Sequence, residues 1–161
     1  MSCWPWGINY RTTEDYRMKI ITLIILSYLM GSISGSLLLG KFKNIDIRKM
    51  GSGNAGGTNA LRSVGPLFAL GTIIIDILKG YVPVALYIRF IHFDEIVTIF
   101  NFNINDLAPI LIGIATVLGH VYPIFYGFKG GKGAGTLIGV VCAIFPECII
   151  YVLLVWIIYL S

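Results

Sequence analysis

The sequence predicts an all-α membrane protein, a polytopic helical bundle of about four spans with two glycine-rich cytoplasmic loops. Three observations predict it. Charged residues fill only 12% of the 161 positions, against 57% hydrophobic, whereas a water-facing domain carries about 25% charge. The apolar residues fall into runs close to the ~20 that a helix needs to cross a bilayer. The cations gather in two of the intervening loops and the acids in the remaining one.

Taken in order, the amino end reads "MSCWPWGINYRTTEDYR". Met18–Lys19 would make a more ordinary start, so residues 1–18 read as an N-terminal extension and 19–161 as one integral-membrane domain. The expected spans are 20–39, 66–88, 107–125 and 134–160. The first has a competing reading as a signal peptide, with Lys19, an apolar core and then the small residues "GSISGS". Cleavage there would send the most basic loop outward, against the charge rule, so a retained span is favoured. Gly80 and Pro83 can break the second span, and Pro146–Glu147 the fourth.

Loop charge orients these spans. Residues 41–64 hold Lys41, Lys43, Arg48, Lys49 and Arg62 against Asp46 alone. Residues 89–106 hold Arg89 against Asp94, Glu95 and Asp106, and residues 127–133 hold Lys129 and Lys132 with no acid. The positive-inside bias puts the first and third loops in the cytoplasm, on one side. The net charge of +4 therefore serves topology, and no nucleic-acid partner is expected. Cys3, Cys142 and Cys148 have neither metal-ligand spacing nor a paired framework.

The first cytoplasmic loop contains "GSGNAGGTNALR". Gly51, Gly53 and Gly56 match G-x-G-x-x-G, but a dinucleotide site needs a strand before it and a βαβ unit around it. Lipid-crossing helices leave no room for one. The residue types point instead to an anion. Glycines let backbone N–H groups form a concave nest. Ser52, Asn54, Thr58 and Asn59 supply short polar groups, and Arg62 a fork suited to phosphate. A plain polar turn is the alternative.

Inside the second span, "DILKG" places Asp76 and Lys79 at i, i+3 on one helix face. They either pair with each other or point together into a polar cavity. The second cytoplasmic loop lies in "GHVYPIFYGFKGGKGAGT". It is no Walker loop, because Tyr126 and Gly133 stand where that motif needs Gly and Ser or Thr. Lys129 and Lys132 among Gly130, Gly131 and Gly133 can still hold a phosphate, with Thr136 near the positive end of the next helix. His120 is a candidate proton carrier or a structural hydrogen-bonding group.

These three stretches, in this order and between these spans, resemble the bacterial acyl-phosphate:glycerol-3-phosphate acyltransferases over residues 19–160. The resemblance implies transfer of a fatty acyl group from acyl-phosphate to the 1-hydroxyl of sn-glycerol 3-phosphate. The products are lysophosphatidate and phosphate, at the first acylation of phospholipid synthesis in the bacterial inner membrane. It implies catalytic roles for Ser52 and Arg62, with His120 as a third candidate. Gly51, Gly53, Asn54, Thr58, Asn59, Lys79, Lys129, Gly130, Gly131, Lys132, Gly133 and Thr136 are expected to bind the substrates. No metal, cofactor or acyl-carrier protein is implied in the step. Family members run on through further passages to a segment with functional His, Asn and Glu. This chain ends at "VWIIYLS", so a missing C-terminal part is expected. A small transporter for an organic phosphate and a non-catalytic remnant are the competing readings.

Overall fold

The computed structural model describes residues 10–91, 98–99 and 102–160. Cys3, Asp94 and Glu95 lie outside the described residues. The helices are α1 (Tyr10–Gly31), α2 (Gly35–Lys43), α3 (Gly57–Ser63), α4 (Pro66–Phe90), α5 (Ile104–Val121), α6 (Ala134–Ile144) and α7 (Cys148–Leu160). Single 3-10 turns at Ile47–Lys49 and Ile124–Tyr126 sit in the two glycine-rich loops. Strands β1 (Thr98–Ile99) and β2 (Phe102–Asn103) form a minimal antiparallel ladder, Thr98 opposite Asn103, in the expected outer loop.

Helix α4 and the stretch Ile104–Tyr126 are each long and apolar enough to cross a membrane. The first expected span is not one rod. It is α1 followed by α2, bent by 43° at a short break. The break falls at Ser32–Ser34, where the hydroxyl of Ser32 turns back to the Tyr28 carbonyl at 2.9 Å. The fourth expected span is divided beside Pro146 into α6 and α7, of which α6 is a short apolar helix and not a full crossing. The second span, where Gly80 and Pro83 also allowed a break, is continuous over 25 residues. Proline there forfeits one backbone bond, and burial of Val84 and Tyr87 directly after it holds the helix in place.

The glycines of the spans bring backbones together. A Cβ on Gly80 would strike the Thr136 carbonyl of α6, and one on Gly139 the Ile77 carbonyl of α4. Gly31 and Gly119 do the same between α1 and α5. With no hydrophobic drive between helices in lipid, this close approach is what holds them. Ile20, Val84, Tyr87, Ile104, Ile112 and Val140 fill the common core of α1, α4, α5 and α6. Large apolar side chains such as Ile25, Leu26, Leu78 and Ile114 face outward, as the surface of a multi-pass membrane protein requires.

Candidate active site

The site is built at the break in the first span. Between α1 and α2 the chain leaves a carbonyl at Ile33 and an amide at Gly35 without helical partners. Two charges from α4 meet them. Lys79 Nζ donates to Ile33 O at 2.7 Å, and Gly35 N–H donates to Asp76 Oδ1 at 3.2 Å. Each charge has the sign that its helix end favours. The two side chains are 3.1 Å apart and only about 5% exposed. His120, at the end of α5, brings Nδ1 to 3.5 Å from the same Asp76 oxygen, too far for a hydrogen bond, so that buried nitrogen has no partner among the described residues.

One side chain organises the first glycine loop. Buried Asn59 accepts from Ser52 N–H at 3.0 Å and from Ser63 Oγ at 3.2 Å. Its Nδ2 donates to the carbonyls of Ile47, Met50 and Asn54, all within 3.1 Å. Gly51 and Gly53 take the positive φ values, 53° and 73°, that this tight path demands. Ser36 Oγ, in the first turn of α2, then donates to Ala55 O at 3.0 Å and ties the loop to the broken span.

The second loop is organised by backbone. Gly130 N–H donates to Val121 O and Gly131 N–H to His120 O, each at 3.2 Å, folding the loop onto the end of α5. Cβ atoms there would collide with the His120 carbonyl and with His120 Nε2. Gly133 caps α6 with φ of 82°. The first helical bond of α6 runs from Leu137 N–H to Gly133 O, so the amides of residues 134–136 remain open.

The two loops meet at a cavity of about 120 Å³. Asn54, Gly56, Gly57 and Thr58 form one wall, and Lys132, Gly133, Ala134 and Gly135 the other. Ile73, Asp76 and His120 close it from the membrane side. Of the expected site residues, Asn54, Thr58, Lys132, Gly133 and His120 line this space, and the rest do not. Ser52, Arg62 and Lys129 are exposed on the loops. Gly51, Gly53, Gly130 and Gly131 shape the backbone.

Three of the expected site residues are engaged or buried within the fold. Asn59 is no free ligand, because both ends of its amide are engaged within the loop. Lys79 does not reach the cavity, because its ammonium is held by Asp76 and Ile33. Thr136 is fully buried in the first turn of α6, its carbonyl packed against Gly80 and its hydroxyl without a hydrogen-bond partner. Asp76, which the sequence offered as half of an ion pair or as a cavity group, is both, while Ser36 went unrecognised. The signal for Ser36 was available, since "SISGS" puts a small polar residue at every other position, which an uninterrupted lipid-facing helix has no use for.

Comparison with known proteins agrees with this geometry. The family profile described as glycerol-3-phosphate acyltransferase matches residues 21–161. A glycerol-3-phosphate acyltransferase of Aquifex aeolicus is 39% identical over 139 residues, 86% of this chain and 67% of its own. That of Chlorobium limicola is 42% identical over 148 residues, 89% of this chain and 62% of its own. Two crystal structures of PlsY (YgiH), an integral membrane glycerol 3-phosphate acyltransferase, superpose well. The glycerol 3-phosphate form gives a TM-score of 0.71 at 37% identity, covering 86% of this chain and 64% of that one. The lysophosphatidic acid form gives 0.68 at 36%, covering 86% and 63%. The chain thus spans roughly two-thirds of the length of these relatives. With three motifs folded into one cavity at a membrane face, and with matches of this breadth, the chain belongs to the glycerol-3-phosphate acyltransferase family.

Proposed function

We propose that the chain transfers a fatty acyl group from acyl-phosphate to the 1-hydroxyl of sn-glycerol 3-phosphate. The observation that carries this reading is the cavity itself. Two separate glycine loops converge there, with Ala134 and Gly135 at the start of α6 and the exposed Lys132 on one wall. Helix amides and a lysine suit a phosphate. Asp76, the acid in that space, is paired with Lys79, so the wall is not repulsive to an anion. Arg62, Lys129 and Ser52, all exposed on the same loops, take the outer position, against the phosphate of the acyl donor.

The glycerol hydroxyl oxygen attacks the acyl carbonyl carbon, and the carbon–oxygen bond to the donor phosphate breaks. The proton passes to the departing phosphate. Acyl-phosphate already carries a good leaving group, so positioning and charge stabilisation account for the catalysis. The acyl chain stays in the apolar phase, at about 0.8 kcal/mol per buried methylene. The loops face the cytoplasm of a bacterial inner membrane, as their cations require.

Membranes containing the chain are expected to form lysophosphatidate from acyl-phosphate and radiolabelled glycerol 3-phosphate. Lys132→Met should raise the KM for glycerol 3-phosphate about tenfold or more, the loss of one charged hydrogen bond. Uptake of glycerol 3-phosphate into sealed vesicles without lipid product would sink the reading in favour of a transporter.

A further inference from the structure

Asp76 and Lys79 lie where α1, α2, α4 and α5 come together. Lys79 holds the Ile33 carbonyl and Asp76 holds the Gly35 amide, so the pair bridges both ends of the break between α1 and α2. One residue further on, Ser36 holds the Ala55 carbonyl. Ala55 is fully buried between Asn54 and Gly56, both of which line the cavity. On the other side His120 approaches Asp76 through Nδ1, while its carbonyl anchors Gly131 of the second loop. The first loop is therefore tied to this pair through α2 and Ser36, and the second lies beside it at His120.

The Lys79 ammonium has a second consequence. The Asp76 side chain faces the cavity, and a lone carboxylate there would oppose an incoming phosphate. With Nζ at 3.1 Å that charge is cancelled. A buried pair of this kind is weak evidence for stability, because desolvation offsets the attraction, and its retention calls for another reason.

We infer that Asp76 and Lys79 are positioning residues: the pair clamps the break in the first span, sets the first loop through Ser36, and hides its own carboxylate from the bound phosphate. Lys79 acts through Asp76 and Ile33 and touches no substrate. This rests on the function proposed above for its ligand as well as for turnover.

The test uses the full chain purified in detergent, with Lys79→Met and Lys79→Gln made singly and each combined with Asp76→Asn. Glycerol 3-phosphate affinity is read from the ligand-induced rise in melting temperature, and kcat and KM from lysophosphatidate formation. Lys79→Met unmasks Asp76 and should weaken glycerol 3-phosphate at least tenfold. Adding Asp76→Asn should return affinity to within threefold of the parent, while kcat stays low because Ile33 has lost its donor. Lys79→Gln with Asp76→Asn keeps an amide for Ile33 and should recover kcat as well. If the double variants bind as weakly as Lys79→Met, the lysine grips the phosphate itself and the inference is wrong. It is equally wrong if the lysine variants lower the melting temperature and move neither affinity nor kcat. Should the parent chain bind glycerol 3-phosphate yet form no lipid, the proposed reaction fails, and the affinity comparison still decides the inference.

Discussion

The two glycine-rich loops look alike in sequence and are built on opposite principles. The first is wrapped around one buried side chain, Asn59, which makes hydrogen bonds to five partners inside the loop. The second has no such centre. Its amides at Gly130 and Gly131 pair with carbonyls at the end of α5, and its glycines are needed because His120 lies directly beneath them. One loop therefore fails when a side chain is removed, and the other when a methyl group is added.

The largest effect is expected where one group serves many partners. Asn59→Ala takes a donor from the carbonyls of Ile47, Met50 and Asn54. Ile47 and Met50 keep backbone donors, whereas Asn54 O and the Ser52 N–H lose the partner Asn59 gives them, and each unpaired buried group costs about 1–3 kcal/mol. The expected result is collapse of the first loop, seen as a lower melting temperature and rapid proteolysis within residues 44–57. Asn59→Asp keeps the acceptor for Ser52 and loses both N–H donors, so it should be nearly as damaging. An Asn59→Ala chain with unchanged melting and protease resistance would show that the loop is held by something else.

Gly131→Ala is the matching change in the second loop. Its Cβ would collide with His120 Nε2, and the loop has to lift away from α5 to make room. Stability should fall little, because the span beneath is untouched. Turnover should fall about 100-fold, the scale on which a displacement near 1 Å acts. Comparing kcat with melting temperature for Asn59→Ala and Gly131→Ala sharpens the contrast, since only the former should lose both together.

Much of this was legible in the sequence, and the parts that were not share a cause. Hydropathy located the second and third spans, and the first as a bent pair, because lipid-facing surface needs apolar side chains wherever it occurs. Loop charge put both glycine loops on one side, and the shared cavity agrees with that. The break at Ser32–Ser34 stayed hidden because serine is too weakly polar to interrupt a hydropathy run, while its buried hydroxyls do the joining. Gly80 and Pro83 misled in the other direction. In α4 the glycine admits the Thr136 carbonyl and the proline stays inside a continuous helix. For Asp76 and Lys79 the sequence left pairing and a polar cavity both open, and the structure shows the pairing. The internal bonds of Asn59 were not legible, because a residue type shows what a side chain can bond and only tertiary structure shows what has already bonded it.

The smallest effect concerns the tie between the two loops. Arg48 forks onto Asp46, with Nη2 and Oδ2 at 3.0 Å, and its Nη1 reaches the Tyr126 carbonyl at 2.9 Å beside the second loop. The hydrogen bond from Arg48 holds the Asp46 carboxyl below its usual range. A depressed folded value means that the stabilisation is complete above the unfolded carboxylate value near 4 and is lost as pH falls through the folded one. The pair is about 30% exposed, so solvent and salt screen it to about 0.2–1 kcal/mol. The acid limb of melting temperature against pH, between about 5 and 2, should flatten slightly in Asp46→Asn, and added salt should reproduce part of that change in the parent. Because Arg48 bonds one loop and reaches the other, turnover should decline along with that limb. In Gly131→Ala, where the second loop is already displaced, the same acid step should leave the residual rate nearly unchanged. An unaltered acid dependence of turnover in Gly131→Ala would mean that the loops respond to acid independently of Arg48, and the tie between them would then carry no functional weight.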